Sequence, residues 1–85
     1  MPTVKLFANL RKIAERKELP VPGTNLRCVL NKLVKEVPAL DGVILEDDLI
    51  RPHFIITING QNTTELDVSV AEQDIIAIFS PIAGG

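Results

Sequence analysis

Residues 25–38 read NLRCVLNKLVKEVP, and their apolar side chains repeat along one face of a helix. The stripe consists of Leu26, Val29, Leu30, Leu33, Val34 and Val37. Asn25 is placed to cap the first turn with its side-chain oxygen, and Pro38 ends the helix because it pushes residue 37 out of helical geometry. A helix with one apolar face must pack on an apolar surface, which the rest of the chain is expected to supply.

Two strand patterns precede this helix. Residues 3–7 alternate, with Val4 and Leu6 on one face and Lys5 and Phe7 on the other. Residues 9–16 are typical of a short helix or helical turn. Residues 18–21 predict a second brief strand, which the Pro22-Gly23 turn signal closes.

Three further strands are predicted after the helix. Residues 54–59 are β-branched and apolar, and Asn59-Gly60 favours a tight hairpin turn, so the chain should return through residues 63–66. Residues 75–79 are apolar at every position, which is typical of a central strand covered on both faces. Residues 40–51 carry mixed signals and are expected to be mostly irregular.

The element order is strand, strand, helix, strand, strand, strand, which predicts an α+β fold of the β-grasp type. We expect a mixed sheet of five strands, or four plus a short one, packed on one main helix. Residues 1–79 should form this domain, and residues 80–85 should form a flexible tail ending in Gly-Gly. If the first and last strands are parallel neighbours, the last strand delivers the tail at one edge of the domain.

Composition excludes several classes of function. The chain has 85 residues, of which 46% are hydrophobic and 24% charged, as expected for one folded domain. The net charge is -2 and the basic residues are scattered, so nucleic acid is not an expected partner. No apolar run approaches the roughly 20 residues of a membrane-spanning helix. A single cysteine and no leader-like segment predict a cytoplasmic protein.

The side chains that commonly carry chemistry are few and isolated. His53 has no second His or Cys at ligand spacing, so no metal site is predicted there. Cys28 falls on the side of the helix opposite the apolar stripe, and an incidental exposed thiol explains it. The acidic run 46–48 lacks the oxygen spacing and glycine of a calcium loop, which favours a solvated loop.

The C-terminus is the exception, because the chain ends Ser80-Pro81-Ile82-Ala83-Gly84-Gly85. Two terminal glycines arise by chance in about 0.5% of chains. They would let the terminal carboxylate enter a narrow site that a side chain would obstruct. Pro81 prevents continued sheet pairing, and the six residues reach at most about 20 Å when extended. A frayed terminus without function is the alternative.

Residues 75–85, IIAIFSPIAGG, resemble the C-terminus of the MoaD/ThiS family of ubiquitin-like sulfur carriers, in which a strand leads through Phe and Pro to Gly-Gly. The resemblance extends to Leu6-Phe7-Ala8, Gly23-Thr24, Arg51-Pro52 and Ile58-Asn59-Gly60. It is strongest for the MoaD branch, the small subunits of molybdopterin synthase. Gln73 replaces the glycine that often precedes Asp74, and Cys28 stands where relatives often have an acidic residue.

This resemblance implies a carrier rather than an enzyme. An E1-like activating enzyme would adenylate the Gly85 carboxylate with ATP, and the persulfide of a sulfur donor protein would then displace AMP to leave a thiocarboxylate. The tail would enter the molybdopterin synthase large subunit and donate its sulfur. Phe79, Pro81 and Ile82 would flank the docking surface, Ala83 would belong to the short spacer of the tail, and Gly84 would give clearance. No permanently bound cofactor is implied.

Other functions remain open at this point. A carrier for thiamin, cysteine or tRNA thiolation would share every tail residue. A ubiquitin-like modifier would instead end as an isopeptide on lysine through Gly85. A β-grasp interaction module with an idle tail is the third alternative, and it predicts that deleting Gly84-Gly85 changes nothing.

Overall fold

Five strands form the main sheet of this protein. The computed structural model describes residues 1–47 and 49–80. In chain order the strands are β1 (Thr3–Phe7), β2 (Glu18–Pro20), β3 (Leu45–Glu46), β4 (Leu49–Ile50), β5 (Ile55–Ile58), β6 (Gln61–Thr63) and β7 (Ile75–Phe79). The main sheet has the order β2-β1-β7-β5-β6, and β3 and β4 form a separate pair. The pairing of β1 with β7 is parallel and the other pairings in this sheet are antiparallel, so the predicted mixed β-grasp sheet is confirmed.

The main helix, α2 (Leu26–Glu36), covers one face of this sheet. The Asn25 side chain accepts a hydrogen bond from the Cys28 backbone N–H at 2.8 Å, which confirms the predicted cap. Four stripe residues are buried within the helix and Val37 is buried at its end, where the chain meets Pro38. Val4, Leu6, Ile76 and Ile78 complete the facing layer from the sheet, and all are at most 1% exposed.

Shorter elements fill the connections. A short helix, α1 (Asn9–Ala14), follows β1, and a 3-10 helix (Pro38–Leu40) follows α2. The stretch that we expected to be irregular contains a small antiparallel pair, β3 (Leu45–Glu46) with β4 (Leu49–Ile50). No helix in residues 1–47 and 49–80 has the length and apolar character needed to cross a membrane.

The hairpin return is the second difference from the sequence prediction, which placed it at residues 63–66. The turn itself has two residues, Asn59 and Gly60, with positive φ values of 52° and 85°. Ile58 therefore pairs directly with Gln61, and β6 begins at once. The strand is polar because it lies at the edge of the sheet, where one side faces water.

The third difference concerns β7, which is central as predicted but is covered on one face only. Ile76 and Ile78 point into the core and are completely buried. On the outer face, Ile75 is 41% exposed, and Ala77 and Phe79 are half-buried. Within the described residues, the apolar outer side of this central strand therefore remains open to another molecule.

Candidate functional site

Strand β7 is the central strand of the sheet, and the C-terminal segment begins at its end. In the parallel register, Thr3 pairs with Ile75 and Phe7 pairs with Phe79, so β1 and β7 end side by side. On the other side of β7, Ile55 at the beginning of β5 pairs with Phe79. The last residue of β7 is thus held by a neighbouring strand on each side.

Three apolar side chains meet at this exit, and we call them the exit patch: Phe7, Ile55 and Phe79. The rings of Phe7 and Phe79 are stacked, with centroids 4.5 Å apart and an interplanar angle of 12°. Ile55 is 48% exposed on the far side of Phe79. Alternation in the three strands directs these side chains to the outer face, away from α2.

A groove opens behind the exit, on the side of α1. Its volume is about 490 Å³, and its walls come from α1, the chain after the 3-10 helix and the segment before β5. The lining residues are Asn9, Leu10, Ile13, Gly42, Val43, Arg51, Pro52, His53, Phe54 and Ser80. The Ser80 hydroxyl is buried and has no hydrogen-bond partner among the described residues.

The start of β7 is fixed by polar contacts at the opposite end of the strand. Asn59 Oδ1 accepts from the Ile75 backbone N–H at 3.0 Å, and Asn59 Nδ2 donates to Asp74 Oδ1 at 2.9 Å. Asp74 Oδ2 accepts from the Ala71 backbone N–H at 2.8 Å. These hydrogen bonds, chiefly the one from Ala71, lower the pKa of Asp74 below its ordinary value of 3.8. The contacts tie the β5–β6 turn to the strand that ends at the exit.

Of the site residues predicted from sequence, the structure describes Phe79, which lies in the exit patch at the end of β7. The other predicted site residues lie outside the described part of the chain: Pro81, Ile82, Ala83, Gly84 and Gly85. The predicted tail 80–85 is therefore described only at Ser80. Sequence reasoning missed Phe7 and Ile55 as site residues, because their proximity to Phe79 depends on strand pairing.

Two other candidate residues, Cys28 and His53, do not belong to the exit patch. Cys28 is half-buried on α2 rather than exposed as expected. His53 is exposed at the rim of the groove. No group of three or more His, Cys, Asp or Glu side chains within residues 1–47 and 49–80 could hold a metal ion.

The sheet order, the single long helix and the central strand leading to the C-terminus define a ubiquitin-like β-grasp domain. Comparison with known proteins gives the family. The chain belongs to the ThiS family, whose sequence profile matches residues 4–85. This is a family of ubiquitin-like sulfur carriers and modifiers, small proteins that are carriers rather than enzymes.

Individual relatives agree with this assignment. Small archaeal modifier protein 3 of Haloferax volcanii is 27% identical over 88 residues, with 96% of each chain covered. The solution structure of small archaeal modifier protein 1 from Methanosarcina acetivorans is 36% identical, with a TM-score of 0.88 over 99% of this chain and 95% of the other. The BexX/CysO complex of Amycolatopsis orientalis matches in fold, with a TM-score of 0.88, 16% identity and full coverage of both chains.

Proposed function

We propose that this protein is a sulfur carrier whose Gly85 carboxylate is adenylated by an E1-like activating enzyme and converted to a thiocarboxylate. An ionised carboxylate is a poor electrophile, and the acyl adenylate supplies AMP as the leaving group. The sulfur of a donor-protein persulfide attacks the acyl carbon and displaces AMP. Reductive cleavage of the resulting acyl disulfide, by a thiol that is itself oxidised, leaves the thiocarboxylate. The activating enzyme consumes ATP, and we expect the reaction to take place in the cytoplasm.

The observation that carries the proposal is the exit patch beside a chain that ends in Gly84-Gly85. A partner that binds the terminal carboxylate lies within about 20 Å of the surface from which the tail departs, so this surface is available for a second contact. That surface offers two stacked rings and a half-exposed isoleucine, and aromatic side chains are enriched in the buried centres of protein interfaces. The ThiS-family match, which runs through residue 85, supports the same role for the tail.

For the destination of the sulfur, we propose molybdopterin, with a molybdopterin synthase large subunit as the second partner. The resemblance to the MoaD branch, which extends beyond the tail to Leu6-Phe7-Ala8 and Arg51-Pro52, supports this destination. Delivery to thiamin, cysteine or tRNA thiolation uses the same carrier chemistry. A pull-down with the thiocarboxylate form, followed by identification of a synthase large subunit, tests the molybdopterin assignment.

A second candidate function is protein modification, in which the activated Gly85 carbonyl is transferred to a lysine amine. The relatives named small archaeal modifier proteins favour it. The two functions share the adenylate and differ in the nucleophile, a sulfur atom in one case and an amine in the other. Isopeptide-linked adducts ending at Gly85 in cell extracts would identify the modifier.

The decisive experiment is intact mass spectrometry after incubation with ATP, a cognate activating enzyme and a persulfide donor. The carrier is expected to exchange one terminal oxygen for sulfur. A variant extended by one alanine beyond Gly85 should keep its original mass, since its terminal carboxylate no longer follows Gly-Gly. If the natural chain stays folded and gains no sulfur with its cognate activating enzyme, the carrier proposal is wrong.

The exit patch can be tested in the same assay with two matched substitutions. Ile55→Asn and Leu49→Asn each remove one exposed apolar side chain, 48% and 66% exposed respectively. Only Ile55 belongs to the exit patch. We expect Ile55→Asn to lower kcat/KM for activation about tenfold, as for one interface anchor, and Leu49→Asn to leave it unchanged. Equal effects of the two substitutions would remove the exit patch from the docking surface.

A further inference from the structure

The charges of this protein are segregated along the chain although the net charge is only -2. Residues 1–35 contain eight of the nine basic residues, and residues 36–85 contain nine of the eleven acidic residues. The sheet order places β2 at one edge and β6 at the other. Residues 8–20, which supply α1 and β2, carry four basic and two acidic side chains, whereas residues 55–63, which supply β5 and β6, carry none. Basic charge therefore lies on the β2 side of the sheet.

Part of the basic segment adjoins the exit patch. Lys5, Arg11 and Lys17, which we call the basic rim, line one surface hollow of about 180 Å³ together with Phe7. Lys5 lies two residues before Phe7 on β1, so both side chains stand on the outer face. Leu6 and Glu18 complete the lining. The cations are therefore continuous with the aromatic pair at the exit.

The three cations of the basic rim have no ion-pair partner in the described part of the protein, although Glu18 lines the same hollow. Within residues 1–47 and 49–80, none of these three side chains makes an ion pair or a side-chain hydrogen bond. Glu18 pairs with Lys5 in the strand register, yet the two side chains do not form an ion pair. Arg11 and Lys17 are exposed. Unpaired cations beside an exposed apolar surface favour a partner with complementary charge.

We infer that the exit patch docks into an apolar hollow on a partner protein. Carboxylates of the partner border this hollow on the side that meets Lys5, Arg11 and Lys17. The inference rests on the proposed function only for the statement that a partner binds at the exit. Charge complementarity at the rim orients the partner and raises the association rate, while the apolar contact supplies most of the affinity.

A protein surface fits the basic rim better than a nucleic acid does. The rim is confined to three cations beside Phe7, and the remainder of the chain carries excess negative charge. A phosphate polymer extends well beyond so small a rim, and the net negative charge of the remaining chain would repel it. Carboxylates of a folded partner can be confined to the area that they must match.

The test compares two charge reversals that change the net charge equally. Arg11→Glu with Lys17→Glu alters the basic rim, while Lys32→Glu with Lys35→Glu alters two exposed lysines on α2. In the activation assay at low salt, the rim variant is expected to lose about tenfold or more in kcat/KM, and the α2 variant less than twofold. At about 1 M salt, where the screening length is about 3 Å, most of the difference in kcat/KM between the rim variant and the natural chain should disappear.

A second measurement does not depend on activation. On a matrix that carries both phenyl and carboxylate groups, the natural chain and the α2 variant should elute later than the rim variant. Circular dichroism and thermal melts establish that all three are folded. Co-elution of the two variants would overturn the inference, and so would tight binding of labelled single-stranded RNA that the rim substitutions abolish. Absence of sulfur transfer to every form would instead count against the proposed function.

Discussion

The stacked pair Phe7 and Phe79 can be tested by a double-mutant cycle. Each ring is half-buried, and replacing a fully buried phenylalanine by alanine costs about 3–5 kcal/mol, so each single substitution should cost about 2 kcal/mol. Stacked rings contribute about 0.5–1.5 kcal/mol beyond the burial of their surface. The double mutant should therefore lose about 1 kcal/mol less than the sum of the two single losses.

Chemical denaturation of the four proteins measures this coupling, and thermal melts give a second estimate. In a domain of this size, about 2 kcal/mol corresponds to a fall in Tm of roughly 8–16 °C. Phe7→Ala combined with Ile75→Ala is the control pair. Ile75 lies opposite Thr3, four residues along β1 from Phe7, or about 13 Å away.

Side chains that far apart should give additive losses, within about 0.5 kcal/mol. If Phe7 and Phe79 are equally additive, the rings do not form a coupled pair in solution. The exit patch would then consist of separate side chains and not one rigid surface.

Three further substitutions test how the framework is held. Asn25→Ala removes the cap of α2 and should cost about 1 kcal/mol in denaturation, whereas Asn25→Asp should retain most of the stability. Gly23→Ala would bring a Cβ within 2.6 Å of Val29 Cγ2 and 2.9 Å of the Val29 backbone N, so the free energy of unfolding should fall by about 1–3 kcal/mol. An unchanged free energy of unfolding would mean that α2 can shift to make room. Asp74→Ala should lower Tm at neutral pH. The difference in Tm from the natural chain should disappear as the pH falls below 3.8 and through the lowered pKa of Asp74, because the carboxylate is then protonated. A difference in Tm that stays constant with pH would contradict the role of the ionised carboxylate.

The elements that the sequence predicted well are those whose pattern is local. The stripe of α2 and its cap at Asn25 lie within one segment of chain, and so does the apolar run of β7. The strand β6 has no apolar pattern because it is an edge strand, so its position depends on the two-residue turn before it. The β3–β4 pair consists of two residues in each strand, which is too short for any periodicity.

The candidate site was predictable only in part, for a related reason. Phe79 could be identified because it directly precedes the tail, whereas Phe7 and Ile55 are distant in sequence and meet it through strand pairing. The outer position of Phe7 followed from the alternation in β1. Its stacking on Phe79 did not, because the parallel register of β1 and β7 determines which residues face each other.

The distribution of polar and apolar residues over the sheet favours docking through its outer face over strand addition at its edges. The edge strand β6 consists of Gln61, Asn62 and Thr63, and the opposite edge strand, β2, ends in Pro20, whose nitrogen has no hydrogen to donate. Both edges are thus poor templates for another strand. The outer face between them carries the exit patch, and β7 beneath it is paired on both sides. A partner that docks on this face therefore meets a surface whose position relative to residue 80 is set by the sheet itself, and the tail begins at the same point.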